Sequence, residues 1–205
     1  MSALKAAGIV SNGFPFNKRG NAAVAASHLS MWQAIRQHHL PFLVILEDDT
    51  AIPSYWTPES RNLLDNSALQ VALSSLQVHE PLWDILFLGH NDFMCASDAQ
   101  TRVSWSSQEY NEGKGEYYFT QPTSMCMSGF FGYVISQAGA EKMVELVHPL
   151  SVALDDALRP LYTAGTQRAK TTNDPELYIN AFIVQPPLVA HDFEVESERV
   201  AVQST

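Results

Sequence analysis

Five apolar residues, Phe42-Leu43-Val44-Ile45-Leu46, run without a break into three acids, Glu47-Asp48-Asp49. A short, continuous apolar segment rich in branched side chains reads as a buried strand. Adjacent carboxylates repel one another and are poor candidates for a core. They mark the carboxyl end of the strand, which is where open α/β sheets bind ligands. Side chains alternate along extended chain, so Glu47 and Asp49 face one side and Asp48 the other. Two oxygen ligands on one face suit Mg²⁺ or Mn²⁺, which keeps coordination positions for phosphate oxygens. Taken alone, such a triplet more often reads as a solvated strand-to-loop turn with incidental acids.

The flanking pattern sets the class. Ala22 to His39 has a helical period, with Leu29, Trp32 and Ile35 three apart, and Pro41 stops it. Leu63 to Val78 reads as a second helix through Leu69, Leu73 and Leu76. Trp83 to Gly89 is a second buried strand ended by glycine. Phe130 to Ile135 is a third, after which Ser136 caps a helix running to about Val147, with Met143, Val144 and Val147 inward. Leu154 to Tyr162 reads as a short helix, and Tyr178 to Val184 and Pro187 to Ala190 as extended chain. Asn91 to Gln121 sustains no period. A stretch that long inside a compact domain is functional or carries an edge hairpin, with Tyr117-Tyr118-Phe119 a candidate strand. Strands alternating with helices predict an α/β fold with a mainly parallel central sheet flanked by helices. Neither a repeat nor a linker is visible, so residues 1–205 are expected to form a single domain.

Composition narrows the partners. The 205 residues are 46% hydrophobic and 17% charged, a globular profile that excludes disorder. Twelve Lys and Arg face 22 Asp and Glu, giving a formal charge of −10. That leaves too little cation to hold nucleic acid or anionic lipid through bulk charge. An anionic ligand must be held by a local device, such as a metal ion. The two cysteines, Cys95 and Cys126, form no CxxC pair or Cys/His cluster, and whether they pair is open. No apolar run approaches the roughly twenty residues that a spanning helix needs, and the N-terminus lacks a signal-peptide layout. The expectation is a chain without a transmembrane segment, in the cytoplasm.

Several segments, in order, carry a family resemblance. Ser27-His28-Leu29 with Trp32 comes first, then Leu46-Glu47-Asp48-Asp49, then Trp83-Asp84-Ile85-Leu86. Gly132-Tyr133-Val134-Ile135-Ser136 with Gly139-Ala140 follows, and Pro186-Pro187-Leu188-Val189 closes the series, with Ser197 beyond it. Together they resemble glycosyltransferase family 25, which includes bacterial lipooligosaccharide galactosyltransferases and animal procollagen galactosyltransferases. The resemblance spans about Gly20 to Ser197. No single motif is specific; their order and spacing are.

The resemblance implies a GT-A type fold and a metal-dependent, inverting transfer of a hexose from a nucleotide sugar. UDP-galactose is the family default, and the acceptor is a glycan or protein hydroxyl. Glu47, Asp48, Asp49 and His28 are then the donor-binding residues. Asp49 is the first metal ligand, with Glu47 second and His191 a third candidate, for Mn²⁺ or Mg²⁺. The ion would neutralise the diphosphate leaving group, where the largest charge develops. Asp155 matches the family's Val-Asp position, written here Leu154-Asp155-Asp156, and Asp155 or Asp156 is the candidate base for the acceptor hydroxyl. Without the family, those two acids read as the start of a helix stabilised by its dipole. The family's opening strand, of the Val-Ile-Asn-Leu kind, has no counterpart ahead of Ser27. The implied sheet therefore has its N-terminal strand absent or replaced, and that strand and its loop hold the nucleotide base in GT-A folds. The alternative is a non-catalytic, transferase-derived domain that binds a sugar or nucleotide through an incomplete donor site.

Overall fold

A computed structural model describes residues 2–11, 13–14, 19–51, 67–92, 100–106, 118–122, 127–158, 161, 178–185 and 187–192. The expectations for Cys95, Cys126, Ser197 and the start of the second helix at Leu63 lie outside them.

Helix α1 is Ser2–Ala6 and α2 is Arg19–His38, longer than its periodic stretch by one turn at the start. His39, with φ 51°, takes the left-handed conformation that ends α2, and Leu40 N–H donates back to the Ile35 carbonyl. Strand β1, Phe42–Leu46, follows, then the two-residue β2, Thr50–Ala51. Helix α3 is Ser67–His79, and β3, Ile85–Phe87, is fully buried. Next come β4 (Asn91–Asp92), β5 (Gln100–Ser106), β6 (Tyr118–Pro122) and β7 (Met127–Ser128). Strand β8 is Gly132–Ser136 and α4 is Gln137–Val147. Ser136 caps α4 as expected, its Oγ accepting from Gly139 N–H at 3.0 Å. A short helical segment at 154–158 precedes β9, Ala181–Gln185, and β10, Ala190–His191.

Six strands form one sheet in the order β1-β8-β3-β9-β6-β5. Only β3 and β9 adjoin in parallel; the other four adjoining pairs are antiparallel. The expected mainly parallel sheet is therefore corrected to a mixed, mostly antiparallel one. The reason is that β8 enters between β1 and β3 and runs against both. A run that is apolar on both faces reports two covered faces and carries no direction.

Those two faces are visible in the side-chain alternation. Ile85, Phe87, Tyr133, Ile135, Ala181 and Ile183 pack with Leu29, Trp32, Ile35 and Met143 of α2 and α4. Leu86, Val134, Phe182 and Val184, the intervening positions, pack with Ala72 and Leu76 of α3. The result is three layers, helix–sheet–helix. Each large apolar side chain so buried contributes about 1.5–3 kcal/mol.

A further difference bears on the site. The apolar run predicts a buried β1, yet among the described residues it is an edge strand in which Ile45 alone is fully buried and Phe42 and Leu46 are exposed. In the N-terminal segment, Val10 forms a bridge with Leu150. At the opposite edge, β5 and β6 form the hairpin expected within Asn91 to Gln121, with a register irregularity between Val103 and Ser106. Such a break blunts an exposed edge. No helix among the described residues is long and apolar enough to cross a membrane.

Candidate active site at the end of strand β1

Strands β1, β3 and β9 run in one direction, so their carboxyl ends lie at one end of the sheet, beside the start of β8. The acidic triplet sits there in a turn rather than in extended chain: Thr50 N–H donates to Glu47 O at 3.2 Å. Phe131, just before β8, anchors this turn twice, its carbonyl accepting from Glu47 N–H at 2.7 Å and from Thr50 Oγ1 at 2.6 Å. Burial nevertheless alternates as expected. Glu47 is half-buried, Asp48 exposed and Asp49 only 3% exposed.

Each inward acid meets a histidine. His28, buried on α2, places Nε2 3.0 Å from Glu47 Oε1. Its other nitrogen, Nδ1, lies 2.6 Å from the Tyr133 hydroxyl, which also accepts from Trp32 Nε1–H at 3.0 Å. His28 and Trp32 are four apart and so share one face of α2. Tyr133 projects to meet them from the middle of β8, opposite Ile45 of β1 and Phe87 of β3. Burial, partly offset by the Trp32 hydrogen bond and reinforced by the charge of Glu47, pushes the Tyr133 phenol well above its ordinary range.

The second pair is His191 with Asp49, Nε2 to Oδ2 at 3.1 Å. The segment carrying His191 is laid over the sheet end by Leu188 and Val189 N–H groups donating to Leu88 O, at 2.7 and 3.2 Å. Then β10 pairs with β2, setting His191 opposite Thr50, while Asp192 N–H donates to Asp49 O at 2.7 Å. Gly89 permits this approach, because a Cβ there would run into the Val189 carbonyl and the Phe131 ring. Asp49 Oδ1 is buried and has no hydrogen-bond partner among the described residues.

The predicted site residues thus divide. Glu47 goes with His28, and Asp49 with His191. Among the described residues no group of three or more His, Cys, Asp or Glu side chains comes together to hold a metal ion, so Glu47, Asp49 and His191 are not one cluster. Asp155 is half-buried and Asp156 exposed on the 154–158 segment, whose Leu154 and Leu158 share a core with Phe130 and Tyr133. The sequence places Tyr133 in a buried strand and a family motif, and its part in the His28 network is not visible there. The signal that points to it is the pair His28 and Trp32, two polar-tipped rings four residues apart on a helix face that is otherwise apolar.

Asp84, which belongs to the Trp-Asp-Ile-Leu segment, is structural. It accepts from Lys142 Nζ and from Asn180 N–H, both at 2.7 Å, tying β3 to α4 and β9. Burial still outweighs these contacts and raises its carboxyl above the ordinary range.

The family model of glycosyltransferase family 25 (LPS biosynthesis protein) matches residues 18–158. The match takes in α2, the acidic turn, β3, β8 and α4, and with them His28, Glu47, Asp49, Tyr133, Asp155 and Asp156, whereas β10 with His191 lies beyond it. The chain belongs to this family and is a glycosyltransferase. A search among curated proteins finds no match.

Proposed function

We propose that this chain transfers a hexose, galactose from UDP-galactose by family default, to a glycan or protein hydroxyl with inversion at the anomeric carbon. In this reading residues 1–205 act as one domain with a GT-A type fold. The observation that carries it is Asp49. Its buried Oδ1 has no donor among the described residues, and a buried carboxylate oxygen left that way is costly unless a cation completes it. A carboxylate with an adjacent imidazole fits a divalent ion such as Mn²⁺ or Mg²⁺. Asp49 would hold the ion, with His191 beside it. Bound there, the ion would supply charge neutralisation of the diphosphate leaving group.

The protein's own groups do the rest. Glu47, on His28, contacts the donor ribose, and exposed Asp48 lies at the rim. Asp155 or Asp156 takes the proton from the acceptor hydroxyl as it attacks. The test is release of UDP from a panel of UDP-sugars with Mn²⁺. Release is expected to be fastest from UDP-galactose and to disappear with chelator. No release from any donor, with a range of glycan and peptide acceptors, would overturn the proposal.

A further inference from the structure

The buried line Trp32–Tyr133–His28–Glu47 has a direction. An indole N–H can only donate, so the Tyr133 oxygen accepts from Trp32. The single phenolic proton then has His28 Nδ1, 2.6 Å away, as its acceptor. With Nδ1 accepting, neutral His28 carries its proton on Nε2 and donates it to Glu47 Oε1. The opposite tautomer would leave a buried phenolic proton without an acceptor and set a nitrogen lone pair against a carboxylate. Only one arrangement satisfies every polar hydrogen. The ring is further held by packing, stacked on Tyr133 at 5.6 Å and edge-on to Phe130 at 6.2 Å.

We propose that Tyr133 is a positioning residue for the transferase site: its hydroxyl fixes the tautomer and place of His28, and His28 in turn aims the Glu47 carboxylate at the donor. This rests on the reading of Glu47 as a donor contact. Tyr133 itself is fully buried; it acts through a chain of two hydrogen bonds.

Two measurements on the intact protein test it. Long-range ¹H–¹⁵N spectra of the wild type should show the His28 proton on Nε2 and an acceptor-type Nδ1; a proton on Nδ1 instead overturns the proposal. Affinity for UDP with Mn²⁺ is then measured for Tyr133→Phe, Glu47→Gln and the double variant. Tyr133→Phe alone should weaken binding about tenfold and cost nothing further once Glu47 is glutamine, because the effect passes through that carboxylate. The same tenfold loss in both backgrounds would show a merely structural role and overturn the assignment of Tyr133. Unchanged affinity in Glu47→Gln would instead overturn the donor reading of Glu47, and the proposal with it.

Discussion

His191 Nε2 stands 3.1 Å from Asp49 Oδ2, a contact made only because the 187–192 segment crosses the carboxyl ends of β1 and β3. Gly89 lies under that crossing. In Gly89→Ala the new methyl meets a backbone carbonyl, which cannot rotate away, so the segment must lift and carry His191 from Asp49. Overpacking of this kind costs about 1–3 kcal/mol. Affinity for UDP with Mn²⁺ should fall at least tenfold, measured by calorimetry. Gly139→Ala is the control. Its methyl meets the Asp84 carbonyl in the same way but away from the acidic turn, so it should lower the melting temperature and leave affinity intact.

Asp155→Asn should leave UDP affinity unchanged while lowering turnover 10²–10⁴-fold, about the usual contribution of general acid–base catalysis. Single-turnover kinetics separate the two. Should Asp156→Asn produce that loss instead, the base is the exposed neighbour. If neither variant slows transfer, the base is elsewhere in the chain.

Tyr133 gives the fold an alkaline limit. Its folded phenol stays protonated well above the ordinary value of 10.0, whereas the unfolded chain releases the proton there. Above about pH 10 the folded state thus binds more protons than the unfolded, so stability falls as pH rises. Denaturant midpoints of the wild type should drop between pH 10 and 11. In Tyr133→Phe the decline should be shallower by up to one proton, roughly 1.4 kcal/mol per pH unit. Identical slopes would mean that the phenol is not held as its contacts indicate.

Much of the architecture is legible because burial and periodicity leave marks in sequence. Ser136 announces α4, the Trp83 to Gly89 run announces β3, and the acids after Leu46 announce the end of β1. Strand direction leaves no such mark. Phe130 to Ile135 looks the same in either orientation, and the mixed sheet follows from where β8 inserts. Exposure of β1 is hidden for a related reason, since an apolar edge strand and an apolar central strand share one pattern. Within the site, Glu47, Asp49, His28 and His191 are each legible as residues. Their sorting into two carboxylate–histidine pairs is not, because each pairing joins elements far apart in sequence. Asp84 reads as part of a motif, and only the fold shows that it serves Lys142 and Asn180 rather than a ligand.

The outer edge of β1 bears on base recognition. Phe42 and Leu46 are 43% and 44% exposed, and no described strand pairs with that edge. In GT-A folds, as expected from the family, the neighbouring first strand and its loop hold the nucleotide base. In the proposed reading the acidic turn holds the diphosphate through an ion, and no described strand stands where that base-binding strand would lie. UDP, GDP and CDP should therefore bind within about tenfold of one another, a spread of about 1.4 kcal/mol. A larger preference for UDP would show a base pocket built from other parts of the chain.

The most direct test of Asp49 as the anchor for an ion and an anionic donor is titration of UDP into the protein with Mn²⁺ and with chelator. Asp49→Asn is measured alongside, since it keeps the side-chain shape and removes the charge. Wild-type protein is expected to bind UDP measurably with Mn²⁺ and at least tenfold more weakly with chelator. Asp49→Asn is expected to bind equally weakly in both. Equal wild-type affinity with and without the ion, or full Mn²⁺-dependent affinity in Asp49→Asn, would contradict the anchoring role of Asp49.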